Sequence, residues 1–168
     1  MIGEVRSREE VKALFDSLLA GQARGSYATF HARSANEAVT RLLALGAEQQ
    51  DLQALDLIVV IKRTPVFDKK LGKFIEVRRV TEISALEAGD LKQLFSFDKK
   101  IGSLEAAPHF KKAGGLWDKI ASTHSLSREQ CFDELGVRSD FISKHARATH
   151  AEFTMLAEKF VGMRQRII

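Results

Sequence analysis

The chain has one cysteine, Cys131, in 168 residues. An internal disulfide is therefore excluded, and a reducing compartment such as the cytoplasm fits this usage. Long hydrophobic runs are missing too. The longest candidate, residues 57–61, is strand-sized and far from the ~20 apolar residues that a membrane span needs. The first residues, MIGEVRSREE, carry no charged-then-apolar signal pattern, which speaks against secretion. No internal repeat and no low-complexity linker is expected. What remains is a chain with 45% hydrophobic and 29% charged residues, the balance of a soluble globular domain or of a core with an appendage.

Charge is only modestly one-sided, at +4. Much of the excess lies between Lys62 and Arg79, with Lys69, Lys70, Lys73 and Arg78 between them. Such a patch suits phosphate, an acidic partner or anionic lipid, although a solvated face is the commoner explanation. Arg78 and Arg79 are neighbours on an expected strand and so point to opposite faces, which leaves one of them able to reach another subunit.

Helix and strand signals alternate in the first half. Ser7-Arg8-Glu9-Glu10 has the S-x-x-E form of a capping box, followed by Val11, Leu14, Phe15 and Leu18 at helical spacing, with Gly21 as the stop. After Gly25, residues 26–32 (SYATFHA) read as a strand with Tyr27, Thr29 and His31 on one face. Ser34-Ala35-Asn36-Glu37 reads as a second capping box that opens a helix carrying Val39, Leu42 and Leu43 and closing near Gly46. Residues 56–62 (DLIVVIK) read as a buried strand and 73–83 as an alternating one, with FDKKLG as the turn between them. A smaller hairpin is expected around residues 98–102. Beyond Leu116 only helix signals occur: 116–123, then 128–147 behind the capping pattern Ser127-Arg128-Glu129-Gln130, then 150–166. The expected organisation is thus α/β over residues 1–84, a hairpin region over 85–108 and a helical subdomain over 109–168.

One juxtaposition carries chemistry. If the strand that ends at Glu4 and the strand that ends at His31 flank a helix, they form a β-α-β unit, and parallel strands require a crossover of that kind. Glu4 and His31 then sit at the carboxyl ends of neighbouring strands, where open α/β sheets bind ligands. A carboxylate there can orient water or help hold a metal, and a histidine beside it can donate to an anionic group such as a phosphate in transfer. Taken singly, each residue is more often structural.

The same residues, GEVR at 3–6 and ATFHARSANEAVTRL at 28–42, resemble the type II/IV secretion ATPase superfamily, and within it the archaeal branch that drives pilus and archaellum assembly. That family has an atypical Walker B strand ending in Gly-Glu, usually followed by Val/Ile-Arg-Gly, and a His box, T-x-H, before a helix ending Arg-Leu. The resemblance assigns Glu4 to the Walker B glutamate, His31 to the His-box histidine and Thr29 to its partner threonine. Arg6 falls on the arginine after the glutamate and Arg41 on the arginine of the helix, as supporting phosphate or subunit contacts. Ser7 departs from the family's usual glycine. The likeness runs on through LDLIVVIKR at 55–63 and VRRVTEI at 77–83 and is softer beyond.

What the resemblance implies is a partial RecA-like P-loop NTPase core, a parallel sheet with an added hairpin, followed by a helical C-terminal tail. It further implies ATP and magnesium with no direct metal ligand in this chain, a hexameric ring, a membrane platform protein as partner, and a cytoplasmic place at the inner face of the cell membrane. In such an ATPase Glu4 polarises the attacking water and His31 contacts the terminal phosphate. One family feature is missing. No two of the 11 glycines stand five apart, so the Walker A pattern G-x-x-x-x-G-K-[ST] does not occur. The expectation is a C-terminal part of a larger ATPase, inactive alone and with an exposed apolar sheet edge.

Two other classes compete. A non-catalytic adaptor could dock on a complete ATPase through the helical tail. Nucleic-acid binding rests on charge alone, lacks a recognition motif and is disfavoured. His109, His124, His145, His150 and Cys131 match no compact ligand spacing. Trp117, Phe132, Phe141, Phe153 and Phe160 are expected to pack helices rather than to stack bases.

Overall fold

A computed structural model describes residues 4–20, 26–108 and 110–164. The expected strand start at residues 1–3, the helix stop at Gly21, Gly25, His109 and the last residues of the expected final helix lie outside these. The chain divides into two compact units, Met1–Ala113 and Gly114–Ile168.

In the first unit, β1 (Glu4–Val5) leads into α1 (Arg8–Leu19), β2 (Thr29–Phe30) and α2 (Ala35–Ala44). The Ser7 capping box is complete: Glu10 N donates to Ser7 Oγ at 3.3 Å and Ser7 N to Glu10 Oε2 at 2.8 Å. At α2, Ser34 Oγ accepts from Glu37 N at 3.1 Å, while the Glu37 carboxylate reaches Arg33 N, one residue before the cap. β1 and β2 pair in parallel, with Glu4 opposite Thr29 and Val5 opposite Phe30. Among the described residues, only Thr29 and Phe30 of the expected strand 26–32 enter the ladder, and beyond Phe30 the partner strand gives way to the Ser7 cap two residues after Val5.

Val5, Val11, Leu14, Phe15, Leu42, Ala47 and Leu52 form one buried cluster, with Phe30 and Leu45 packed against it. It is the helix-facing stripe of α1, the inner face of β1 and a short 3-10 turn at Asp51–Ala54 that supplies Leu52. The cluster fixes β1 through Val5 and so places Glu4 on the opposite, outward face of the strand.

The later strands do not join the parallel pair. β3 (Leu57–Asp68), β4 (Lys73–Glu87), β5 (Asp90–Asp98) and β6 (Ser103–Ala106) make a separate antiparallel sheet in the order β3-β4-β5-β6. Residues 85–106 share this sheet with residues 57–84. Two register shifts, at Val60/Ile61 and at Ile83/Ser84, bulge it. The expectation that residues 56–62 form a buried strand is corrected here. Val60 is 5% exposed, but Leu57, Val59 and Ile61 are 45%, 49% and 59% exposed. The strand is the edge of an antiparallel sheet, whose second face needs no cover, whereas a continuous apolar run suggests a strand buried on both sides.

A carboxylate links sheet to helix. Glu82 on β4 accepts from Ala35 N, in the first turn of α2, at 3.3 Å. Its other oxygen accepts from the buried Ser84 hydroxyl at 2.9 Å. A negative charge at a helix N-terminus is favourable, since the first amides there have no partner within the helix.

The second unit holds α3 (Gly114–His124), α4 (Arg128–His145) and α5 (His150–Arg164). The Ser127 capping box is complete, and the expected helix 128–147 ends at His145. Aromatic rings join the helices, as expected: Trp117 meets Phe132 at 4.6 Å, and Phe141 meets Phe160 at 4.3 Å. Cys131 is buried.

Candidate functional site

The parallel ladder decides which side chains meet. Glu4 lies directly opposite Thr29, and His31 follows two residues later on the same face. Val5 and Phe30 turn the other way, into the core. The side chains that bear polar chemistry therefore share one exposed face of β1 and β2.

Glu4 sits between a guanidinium and an imidazole. Arg6 Nη2 donates to Glu4 Oε2, and His31 Nε2 contacts Glu4 Oε1. The Glu4 side chain is 24% exposed, against 70% for Arg6 and 78% for His31. The hydrogen bond from Arg6 holds the Glu4 carboxyl below the ordinary carboxylate range, and the positive charge of Arg6 and of His31 adds to it against partial desolvation. The same bond raises Arg6. Glu4 is thus kept as an anion.

The two carboxylate oxygens are not equivalent. Oε2 is occupied by Arg6, whereas Oε1 is buried and, among the described residues, receives no well-directed hydrogen bond. A buried acceptor left in that state is unfavourable unless water, a ligand or an imidazolium N–H satisfies it. An anion of lowered proton affinity is a weak general base, but it is a strong acceptor that can orient a water molecule.

Arg41 on α2 donates through Nη1 to the His31 carbonyl, and its guanidinium lies 5.3 Å from the centre of the Phe30 ring. It fixes the backbone that carries His31. Arg6 is fixed similarly, because its amide donates to Glu10 Oε2 at 2.6 Å within the Ser7 cap. Of the expected site residues, Glu4, His31 and Arg6 converge, Thr29 stands beside Glu4 in register, and Arg41 acts through the His31 backbone. Arg79 lies away from this cluster, its guanidinium 5.4 Å from the Phe97 ring centre, and Arg78 is exposed.

Two supporting residues were not foreseen. Phe30 is the platform under Arg41, and its alternation with His31 was the available signal. Glu82, which reaches Ala35 from 47 positions away, left none.

Among the described residues no group of three His, Cys, Asp or Glu side chains could hold a metal ion. The Glu4 carboxylate is committed to Arg6 and faces His31, so these donors do not by themselves make a magnesium site. No described helix is long and apolar enough to cross a membrane.

Residues 1–94, more than half of the chain, match the family model described as type II/IV secretion system protein. No curated protein matches the chain.

Proposed function

Because the chain belongs to the type II/IV secretion system protein family, we propose that it is the catalytic-face segment of an ATPase in which Glu4 and His31 act on the terminal phosphate of ATP. The observation that carries this reading is Glu4 Oε1: a buried acceptor without a well-directed hydrogen bond, beside His31 Nε2, on the outward face of two parallel strands. A water held on that oxygen is aligned for attack by an anion that does not itself need to take the proton early. His31, 78% exposed, is free to swing from Glu4 to a phosphate oxygen and donate to it. Arg6 keeps Glu4 ionised, Arg41 holds the His31 backbone, and Thr29 borders the same face.

The glycine loop that cradles phosphates does not occur in these 168 residues, so turnover belongs to the assembly that supplies it. Magnesium, carried with the nucleotide, would neutralise phosphate charge there. We place the assembly in the archaeal pilus or archaellum branch, as a hexameric ring that works against a membrane platform protein; GEVR and the T-x-H box support this assignment.

The test is ATP turnover by the complete assembly carrying Glu4→Gln, which keeps the shape of Glu4 and removes its charge. Turnover should fall at least 100-fold with nucleotide affinity preserved, and His31→Ala should slow hydrolysis as well. Unchanged turnover in Glu4→Gln would sink the assignment. By itself the chain should show no micromolar ATP binding in calorimetry.

A further inference from the structure

The antiparallel sheet repeats one turn. Phe67-Asp68-Lys69-Lys70-Leu71-Gly72 joins β3 to β4, and Phe97-Asp98-Lys99-Lys100-Ile101-Gly102 joins β5 to β6. The sequence therefore does contain an internal repeat, of hairpin-turn length. The geometry repeats with it. Asp68 pairs with Lys73 and Asp98 with Ser103, so each turn is a loop of four residues. Asp68 Oδ1 accepts from Lys70 N at 2.8 Å and Leu71 N at 3.1 Å. Asp98 Oδ1 accepts from Lys100 N at 2.6 Å and Ile101 N at 3.2 Å. Gly72 and Gly102 have φ of +63° and +78°.

Turn chemistry explains only part of the repeat. The aspartate satisfies two loop amides, and the glycine supplies the left-handed conformation. Nothing in the turn calls for two lysines followed by a large aliphatic residue, yet both loops have them. Leu71 is 60% exposed and Ile101 68%, so neither aliphatic is held by packing. Both aspartates are engaged with backbone amides, which leaves the lysines as the outward charge. Beside the first loop, Phe67 and Phe74 add exposed aromatic surface at 51% and 70%, in mutual contact at 5.3 Å.

The sheet provides its own control. In an antiparallel meander the β3–β4 and β5–β6 turns leave from one end and the β4–β5 turn from the other. That third turn, Glu87-Ala88-Gly89-Asp90, has two acidic residues, no lysine and no large apolar side chain. Among the three turns, the lysine pairs and large exposed aliphatics are therefore confined to the two at one end of the sheet.

We propose that the twin FDKK[LI]G turns are a peripheral docking surface for an anionic lipid bilayer, with Leu71 and Ile101 entering the interface and Lys69, Lys70, Lys99 and Lys100 meeting the headgroups. Exposed apolar residues ringed by cations match a surface that is negative outside and apolar just beneath. The β3–β4 ladder runs on beyond the end of the β4–β5 ladder at Glu82 and Ser96, so the first turn stands ahead of the second. A flat surface touching both lies oblique to the strands. The proposal does not depend on the assignment of Glu4 and His31.

The experiment is co-sedimentation of the 168-residue chain with vesicles of phosphatidylglycerol and, separately, of phosphatidylcholine. Binding is expected to the anionic vesicles and not to the neutral ones, and should weaken as salt is raised. Leu71→Ser with Ile101→Ser leaves the charge unchanged and should weaken binding about tenfold. Lys69, Lys70, Lys99 and Lys100→Gln should weaken it about fivefold per lysine engaged. Absence of native binding to phosphatidylglycerol overturns the proposal. Unchanged binding by the Leu71/Ile101 variant also overturns it, since diffuse attraction would then suffice. Equal retention of native and Leu71/Ile101-variant protein on soluble polyglutamate, without vesicle binding, would point to an acidic protein instead.

Discussion

Leu52 and Leu71 permit the same chemical change in two opposite settings. Leu52 is 0% exposed and lies in the cluster that seats β1, whereas Leu71 is 60% exposed at a turn. Leu→Ala deletes three carbons. At Leu52 their transfer to water costs roughly 2.4 kcal/mol, at about 0.8 kcal/mol per buried group. The cavity left beside Val11, Leu14 and Phe15 raises this within the usual range of about 2–5 kcal/mol, so ~3 kcal/mol is expected. At Leu71 the cost should stay within about 0.5 kcal/mol. Native-state hydrogen exchange at the α1 amides reads the difference directly. Since a factor of ten in the equilibrium corresponds to about 1.4 kcal/mol, Leu52→Ala should lower protection roughly 100-fold. Leu71→Ala should change it less than about threefold. Equal protection in the two variants would refute the placement of Leu52 at the centre of this core, and with it the claim that packing through Val5 positions Glu4.

The remaining expectations concern charge. Glu134 on α4 accepts from Arg164 Nε at 2.8 Å and from Arg138 Nε at 2.8 Å, and these bonds, that from Arg164 foremost, lower its proton affinity. A depressed folded value means that the contribution is present above the unfolded value of about 4.3 and is lost as pH falls through the folded one. Trp117, the single tryptophan, lies in the same unit. Urea midpoints read by its fluorescence should therefore fall between pH 6 and pH 3 by less in Arg164→Ala than in the native protein; an identical fall would remove the pair from the account. Glu82→Ala should release the first amide of α2, at a cost of about 1 kcal/mol. Faster exchange at Ala35 would show the release, and unchanged exchange would show that another group caps the helix.

Short-range physics was legible and long-range pairing was not. The Ser7 and Ser127 caps follow from residues three apart, so sequence alone placed the helix starts. The Glu4–His31 juxtaposition was legible because α1 is a crossover between two strands, and alternation then puts Thr29 and His31 on one face. The apolar run at 57–61 was misjudged because it is the same string whether a strand is buried on both faces or lies at an open edge. Only its antiparallel partner, β4, decides between them. The role of Glu82 depends on a bulged register between distant segments, which no local pattern encodes. The doubled FDKK[LI]G turn was in plain sight, yet each copy by itself reads as ordinary turn chemistry. Its information lies in the positions that the turn leaves unconstrained. Asp and Gly there report on the backbone, and the Lys-Lys-Leu/Ile between them reports on whatever meets the sheet from outside.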